Sequence, residues 1–164
     1  MNQLFLAIFL LVAVARCGVS ADRTGAYRNH AKAAEENSNW MAALSDDVSL
    51  SAWSLPGTHD TGAYNFGGET TETQRMNVEE QLKAGIRALD IRLGVSHLNL
   101  DVQCQGPDLW TFHGISCQFQ RFSDILSSID EFLVEHPGEM IVMRVKKENG
   151  NIANFASLVE AEMD

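Results

Sequence analysis

Four short stretches of this sequence carry side chains suited to acid–base chemistry on a charged ester. His59 and Asp60 stand together in LPGTHDT, Asp90 and Arg92 alternate in ALDIRL, His113 closes TFHG, and Lys146, Lys147 and Glu148 close RVKKE. An imidazole ionises near neutral pH. One histidine can therefore take a proton from an attacking hydroxyl while a second gives one to a leaving alkoxide. A guanidinium can hold the oxygens of a phosphate, which gain charge in the transition state. These are the groups that cleavage of a phosphodiester needs. Each also has a plainer reading. A lone histidine is more often a surface or core residue than a catalyst, Arg92 and Asp90 would make an internal ion pair, and Lys146-Lys147 would make a solvated strand end. His97 and His136 have no comparable setting and are read as structural.

The surrounding pattern predicts the elements that would position these groups. Residues 50–55 read as a strand broken by Pro56-Gly57, residues 88–93 as a strand after Gly85, and residues 109–113 as a short aromatic strand. MIVMRV, residues 140–145, is a nearly continuous apolar run, as in a strand buried on both faces. Asn77 opens a helix over 78–84 with Glu79 and Glu80 in its first turn. Ser123 is placed to cap a second helix, whose Ile125, Leu126, Ile129, Phe132 and Leu133 form one apolar stripe ending at Pro137-Gly138. Asn151 is placed to cap a third carrying Ile152, Phe155, Leu158 and Val159, and residues 40–47 read as a short helix. The order β-α-β-β-α-β-α points to a parallel α/β layer or barrel with its reactive groups at the carboxyl ends of the strands. The four stretches, spread over nearly ninety residues, would then meet on one rim.

The chain has 164 residues, 45% of them hydrophobic and 21% charged, which excludes a disordered or fibrous protein. Its net charge of −10 argues against nucleic acid as a bulk partner, since that affinity comes from cations neutralising phosphates. A small anionic substrate is compatible with it. There are no repeats or low-complexity tracts. Residues 4–15 are an unbroken apolar run, a helix of about 18 Å against a hydrocarbon core of about 30 Å. With Val19-Ser20-Ala21 following, residues 1–21 read as an export signal cleaved after Ala21, so the mature protein is expected outside the cell. Residues 22–48 form a polar, Ala-rich lead-in, and 49–164 the α/β region. Cleavage removes Cys17 and leaves Cys104 and Cys117, which can pair in an oxidising compartment around Trp110, Phe112 and His113, or remain as two buried thiols. Neither has neighbours at zinc spacing.

LPGTHDT, GIRALDIR, FHG and the strand running into KKE, in that order, resemble the X domain of phosphatidylinositol-specific phospholipase C. The resemblance covers roughly residues 50–148. It implies an α/β fold, a distorted TIM-like barrel, and cleavage of the phosphodiester between inositol phosphate and diacylglycerol, with the inositol 2-hydroxyl attacking to give a cyclic phosphate. It implies that His59 is the general base, His113 the general acid, Asp60 the carboxylate beside the base and Arg92 the phosphate-binding arginine. Lys146 matches a basic residue near the inositol, and Asp90 the acidic position of the second strand. The calcium-dependent members carry carboxylates where Arg92 and Lys146 stand here. The sequence therefore resembles the metal-independent, bacterial-type branch, for which no cofactor is expected. The implied partner is phosphatidylinositol, or a glycosyl-phosphatidylinositol, at a membrane surface; no oligomeric state follows. Four strand signals amount to about half of an eight-stranded barrel, so the chain is expected to be part of a longer protein, with the later strands supplying the carboxylate that orients the base. Two other readings remain open. One is a related phosphodiesterase, such as a glycerophosphodiesterase, whose usual divalent ion Arg92 and Lys146 argue against. The other is a secreted protein that keeps the scaffold and binds an inositol lipid or a partner without catalysis.

Overall fold

The structure is a computed structural model and describes residues 36–96 and 104–164. The expected export signal, most of the lead-in and His97 lie outside the described residues.

The central strand is β2, Ala88–Gly94. Side chains alternate across a strand, so Leu89, Ile91 and Leu93 are buried on one face while Asp90 and Arg92 share the other. Strand β1, Gly57–Thr58, runs parallel to β2 with Gly57 beside Ala88. Strand β5, Val142–Asn149, runs parallel along the opposite edge, with Asp90 beside Arg144 and Arg92 beside Lys146. At the far end of β2, strand β3, Trp110–His113, joins antiparallel at Leu93 and Gly94, and β4, Ser116–Arg121, folds back on β3. Helices α1, Val78–Lys83, α2, Phe122–Glu135, and α3, Phe155–Met163, supply apolar side chains to the core. Val78, Leu82, Phe122, Ile125 and Ile129 close on Leu89, Ile91 and Leu93, each such side chain contributing about 1.5–3 kcal/mol by leaving water. The other face of β2 and β5 is charged, and the site lies there.

Several elements differ from the sequence expectation. Residues 50–55 hold no strand: Leu50–Ala52 is a single 3-10 turn and Leu50 is exposed. The chain reaches the sheet only at Gly57, where a Cβ would come 2.9 Å from the Ala88 carbonyl, so glycine permits the close approach. Residues 40–47 contain only the 3-10 turn Met41–Ala43. Helix α2 begins at Phe122, with Arg121 rather than Ser123 at its cap. Phe122 is fully buried and its N–H bonds the Leu109 carbonyl at 2.8 Å, so burial overrides the capping preference. Helix α3 follows Asn154, not Asn151. Strand β5 starts and ends later than expected and alternates in exposure over residues 142–145, because the face carrying Arg144, Lys146 and Glu148 is polar rather than buried. Strand β4 has no counterpart among the sequence expectations. The Asn77 cap of α1 is a complete capping box with Glu80. Cys104 and Cys117 are joined as a disulfide, their Cα atoms 6.6 Å apart, and pack with Trp110 and Phe112.

One buried ion pair ties the lead-in to the sheet. Arg87 Nε donates to Glu139 Oε2 at 2.7 Å with both side chains fully buried. Glu139 Oε1 accepts the Met41 N–H at 2.8 Å, and Arg87 also donates to the carbonyls of Leu82, Ile86 and Ser38. Removing one partner strands a buried charge, so Glu139→Ala is expected to cost about 3–5 kcal/mol in urea unfolding. Glu139→Gln, which keeps an acceptor for Met41, is expected to cost less; equal losses would place the effect elsewhere.

Candidate active site

The segment Thr58-His59-Asp60-Thr61 is a turn pinned by its two threonines. Thr58 Oγ1 donates to Gln81 Oε1 at 2.7 Å, and the two threonine hydroxyls lie 2.9 Å apart. Thr61 N–H donates to the Asp90 carbonyl at 2.8 Å, and Asp90 N–H donates back to Thr61 Oγ1 at 2.9 Å. Gln81 Nε2 donates to the Thr61 carbonyl. Asp60 adopts a left-handed backbone, φ 48°, a conformation that Asp tolerates better than most residues. The turn leaves the His59 side chain 63% exposed beside β2 and buries Asp60 completely.

Three carboxylates surround one guanidinium. Arg92 Nε donates to Asp90 Oδ2 at 3.1 Å, Arg92 Nη1 lies 3.4 Å from Glu148 Oε1 and 3.8 Å from Asp60 Oδ2, and Arg92 Nη2 lies 3.2 Å from His59 Nδ1. Asp90 Oδ2 also accepts the Asp60 N–H at 3.2 Å and lies 3.3 Å from His59 Nδ1, while Asp90 Oδ1 accepts from Arg144 Nη1 at 2.7 Å. Lys146 Nζ bonds Glu148 Oε2 at 2.6 Å. Burial raises the Asp90 and Glu148 pKa values, but hydrogen bonds outweigh it and hold both below the usual range: from Asp60, Arg144 and Arg92 on Asp90, and from Lys146 and Gly114 on Glu148. Burial lowers the Arg92 pKa, and its carboxylate partners more than restore it.

His113 arrives differently from the sequence expectation. The sequence pattern predicts the tip of a parallel strand, but β3 runs antiparallel to β2 and carries His113 back along it from Gly94. Gly114 follows in the left-handed conformation, φ 60°, at the β3–β4 turn, and its N–H donates to Glu148 Oε1 at 3.3 Å. That same oxygen faces Arg92, so Glu148 joins the His113-Gly114 turn to the cluster around His59. His59, Asp60, Asp90, Arg92 and Lys146 thus share one charged face, which the backbone of the His113-Gly114 turn reaches through the Gly114 N–H. Lys147 is exposed and has no ion pair among the described residues. Glu148, grouped with the reactive side chains in the sequence but given no role there, belongs to the site, and so does Arg144, which the sequence reading does not name; Arg144, Lys146 and Glu148 recur at period two on one face of β5. Among the described residues no group of three or more His, Cys, Asp or Glu side chains is placed to hold a metal ion. The space between Asp60, Asp90 and Glu148 is filled by Arg92.

No family model matches the sequence. A 1-phosphatidylinositol phosphodiesterase of Listeria monocytogenes is 38% identical over 124 residues, covering 71% of this chain and 35% of that protein. The Staphylococcus aureus protein of the same name is 29% identical over 114 residues, covering 67% of this chain and 34% of its own. The solved phosphatidylinositol-specific phospholipase C of Listeria monocytogenes superposes with a TM-score of 0.62 at 34% identity, over 77% of this chain and 44% of that one. The chain is a relative of the phosphatidylinositol-specific phospholipases C. It spans about a third of the length of the curated relatives it matches here. The five-stranded sheet with its helices is the corresponding part of the α/β barrel of the phospholipase C structures.

In this phospholipase C relative Asp60 is electrostatically unusual. Neither of its carboxylate oxygens has a hydrogen-bond partner among the described residues. Burial pushes its pKa up to about 7, with Arg92 acting against the rise and Glu148 and Asp90 adding to it. The folded protein therefore holds this proton more tightly than the unfolded chain does. The stability this contributes is complete below the ordinary value of 3.8 and is lost as pH rises through about 7. Urea unfolding is expected to show a higher midpoint near about pH 5 than near about pH 8, and Asp60→Asn to flatten that slope. An unchanged slope in Asp60→Asn would move the origin to another group.

Proposed function

We propose that this chain belongs to a secreted phosphodiesterase that cleaves phosphatidylinositol, free or glycosylated, at a membrane surface. His59 takes the proton of the inositol 2-hydroxyl, and that oxygen attacks phosphorus. The bond from phosphorus to the diacylglycerol oxygen breaks, and His113 gives that oxygen a proton. The products are diacylglycerol and a cyclic inositol phosphate. Arg92 holds the phosphate oxygens as they gain charge, and Asp90 stands 3.3 Å from His59 Nδ1. Lys146 faces the inositol. Asp60 stands beside the base as a buried carboxyl group.

The observation that carries this reading is the position of Arg92, 3.2 Å from an exposed imidazole nitrogen and ringed by Asp60, Asp90 and Glu148. A guanidinium fixed there supplies the positive charge that a cation would otherwise bring, so the reaction is proposed to run without metal. Secretion rests on the apolar run and the Val19-Ser20-Ala21 site of the sequence. The test is release of cyclic inositol phosphate from phosphatidylinositol vesicles with and without EDTA. Release unaffected by chelator is expected. Release abolished by EDTA and restored by calcium would overturn the metal-free mechanism. Binding to the vesicles without release, in wild type and His59→Ala alike, would replace catalysis with a binding role.

A further inference from the structure

The turn bearing His113 is attached to the central strand by a short ladder and by one covalent bond. Strand β3 pairs with β2 at Leu93 and Gly94, the last two residues of β2, and His113 lies two residues past the paired Thr111. So short a ladder frays easily, and a lone hairpin is marginal in water. The covalent attachment runs through β4. Cys117 stands opposite Phe112, the neighbour of His113, and is bonded to Cys104. The Cys104 carbonyl accepts the N–H of Ser96, two residues beyond the end of β2, at 2.9 Å. The disulfide therefore fastens the β3–β4 hairpin to the end of β2, and both cysteines are buried with Trp110 and Phe112. The other face of β3 carries Thr111 and His113. Thr111 is buried against the turn that follows His59: a Cβ on Gly62 would come 2.5 Å from Thr111 Cγ2. Strand β4 reaches the same turn by a second path. Buried Gln118 accepts the Phe66 N–H at 3.2 Å and donates to the Phe66 carbonyl at 3.0 Å. The chain then returns, and Thr73 Oγ1 and Gln74 Nε2 donate to the His59 carbonyl at 3.1 and 2.6 Å. The hairpin sets the spacing between the two histidine-bearing turns, and the disulfide fixes the hairpin.

We propose that Cys104 and Cys117 are positioning residues: their disulfide holds the His113-Gly114 turn at the distance from His59 that protonation of the leaving oxygen requires. This rests on the acid role proposed for His113. A general acid works only within hydrogen-bond reach of the atom it protonates. A turn that drifts on a frayed ladder loses that transfer while the rest of the site stays in place. The sulfurs lie with Trp110 and Phe112, on the other face of β3 from Thr111 and His113, so the bond acts through position. The Gly114 N–H bond to Glu148 Oε1, at 3.3 Å, is the contact at which the drift would be seen. An oxidising compartment keeps such a bond intact, in keeping with secretion.

The experiment compares the full chain with Cys104→Ala/Cys117→Ala on two esters of inositol phosphate. The alkoxide leaving phosphatidylinositol needs a proton, whereas nitrophenolate leaves the para-nitrophenyl ester without one. The alanine pair should lower kcat on phosphatidylinositol by about tenfold with KM little changed, less than the ~10²-fold that a displacement of about 1 Å can cost. It should lose little on the nitrophenyl ester, and His113→Ala should show the same selectivity with a larger loss. In nitrogen-15 relaxation the order parameter of the Gly114 amide should fall from about 0.85 to below about 0.6, while that of Ile91 in β2 stays at the rigid value. Equal losses on both esters, no loss on phosphatidylinositol, or a Gly114 amide as rigid as in the wild type overturns the proposal. If the alanine pair does not fold, Cys104→Ala/Cys117→Val, which refills the space with a strand former, takes its place. Failure of both to fold would make the bond a staple of the whole fold and overturn the proposal as well. If Gly114 loosens as expected while His113→Ala loses equally on both esters, or the wild type cleaves neither, the hold of the disulfide on the turn stands and the acid reading of His113 falls.

Discussion

His59→Ala is expected to lower cyclic inositol phosphate release from phosphatidylinositol vesicles by at least ~10²-fold, the usual loss when a proton-transferring group is removed. The His59 side chain is largely exposed and its ring contacts Arg92 and Asp90 rather than the core, so its loss should leave the urea midpoint nearly unchanged. That combination separates a catalytic role from a structural one. His113→Ala should fall to a similar level. Because the two imidazoles act in one proton cycle, the double variant should be little worse than either single one. Two groups working in opposite protonation states give a bell-shaped dependence of kcat/KM on pH. Near-normal rates for both single variants, or a profile flat from about pH 5 to about pH 8, would remove the histidines from the mechanism.

The parts of the fold that were legible in the sequence are those where local chemistry and tertiary packing agree. The Asn77 cap and Glu80 make a capping box before a helix whose Val78 and Leu82 enter the core. ALDIRL is strand-like on both counts: its apolar residues alternate and its polar residues face the site. The fold departs from the sequence expectation where packing overrides local preference. Ser123 is the better cap, but Phe122 is the better core residue, and the helix starts where Phe122 can be buried. SCQFQR alternates Cys117 and Phe119 with polar residues, but two apolar positions are too short a signal to predict β4. It is a strand because it pairs with β3, because Cys117 is bonded to Cys104, and because buried Gln118 bonds the Phe66 N–H and carbonyl.

The site was legible residue by residue but not as a geometry. His59, Asp60, Asp90, Arg92 and Lys146 were identified from their motifs, and all five lie on one face. What the motifs did not convey is how His113 arrives. An antiparallel return along β2 replaces the expected parallel tip, and the link to Arg92 runs through Glu148 and the Gly114 N–H. Arg144 interrupts an apolar run in the sequence, and its place in the site follows only from the register that sets it beside Asp90. The resemblance put the carboxylate that orients the base on later strands; among the described residues Asp90 stands at His59 Nδ1.

Arg92 carries the other large effect. Arg92→Lys keeps the charge and loses the planar, two-pronged donor set, so the ammonium can reach one phosphate oxygen or one carboxylate at a time. Loss of a donor aimed at developing negative charge typically costs about 10²–10³-fold in kcat, and Arg92→Lys is expected in that range with its fold retained. Arg92→Ala should be at least as inactive and also less stable. It leaves Asp90 and Glu148 ionised around an empty centre, and it removes the larger of the two attractions, from Arg92 and Lys146, that oppose the burial-driven rise of the Asp60 pKa. The Asp60 proton should therefore bind more tightly in Arg92→Ala. The fall of stability with rising pH should persist to a higher pH than in wild type, because the folded-state pKa rises while the unfolded one does not. The measurement is cleavage rate together with urea midpoints across the pH range for both variants. If Arg92→Lys keeps most of the activity, charge alone suffices and the two-pronged grip on the phosphate is wrong. If Arg92→Ala leaves the pH dependence of stability unaltered, Arg92 does not set the electrostatics of this face.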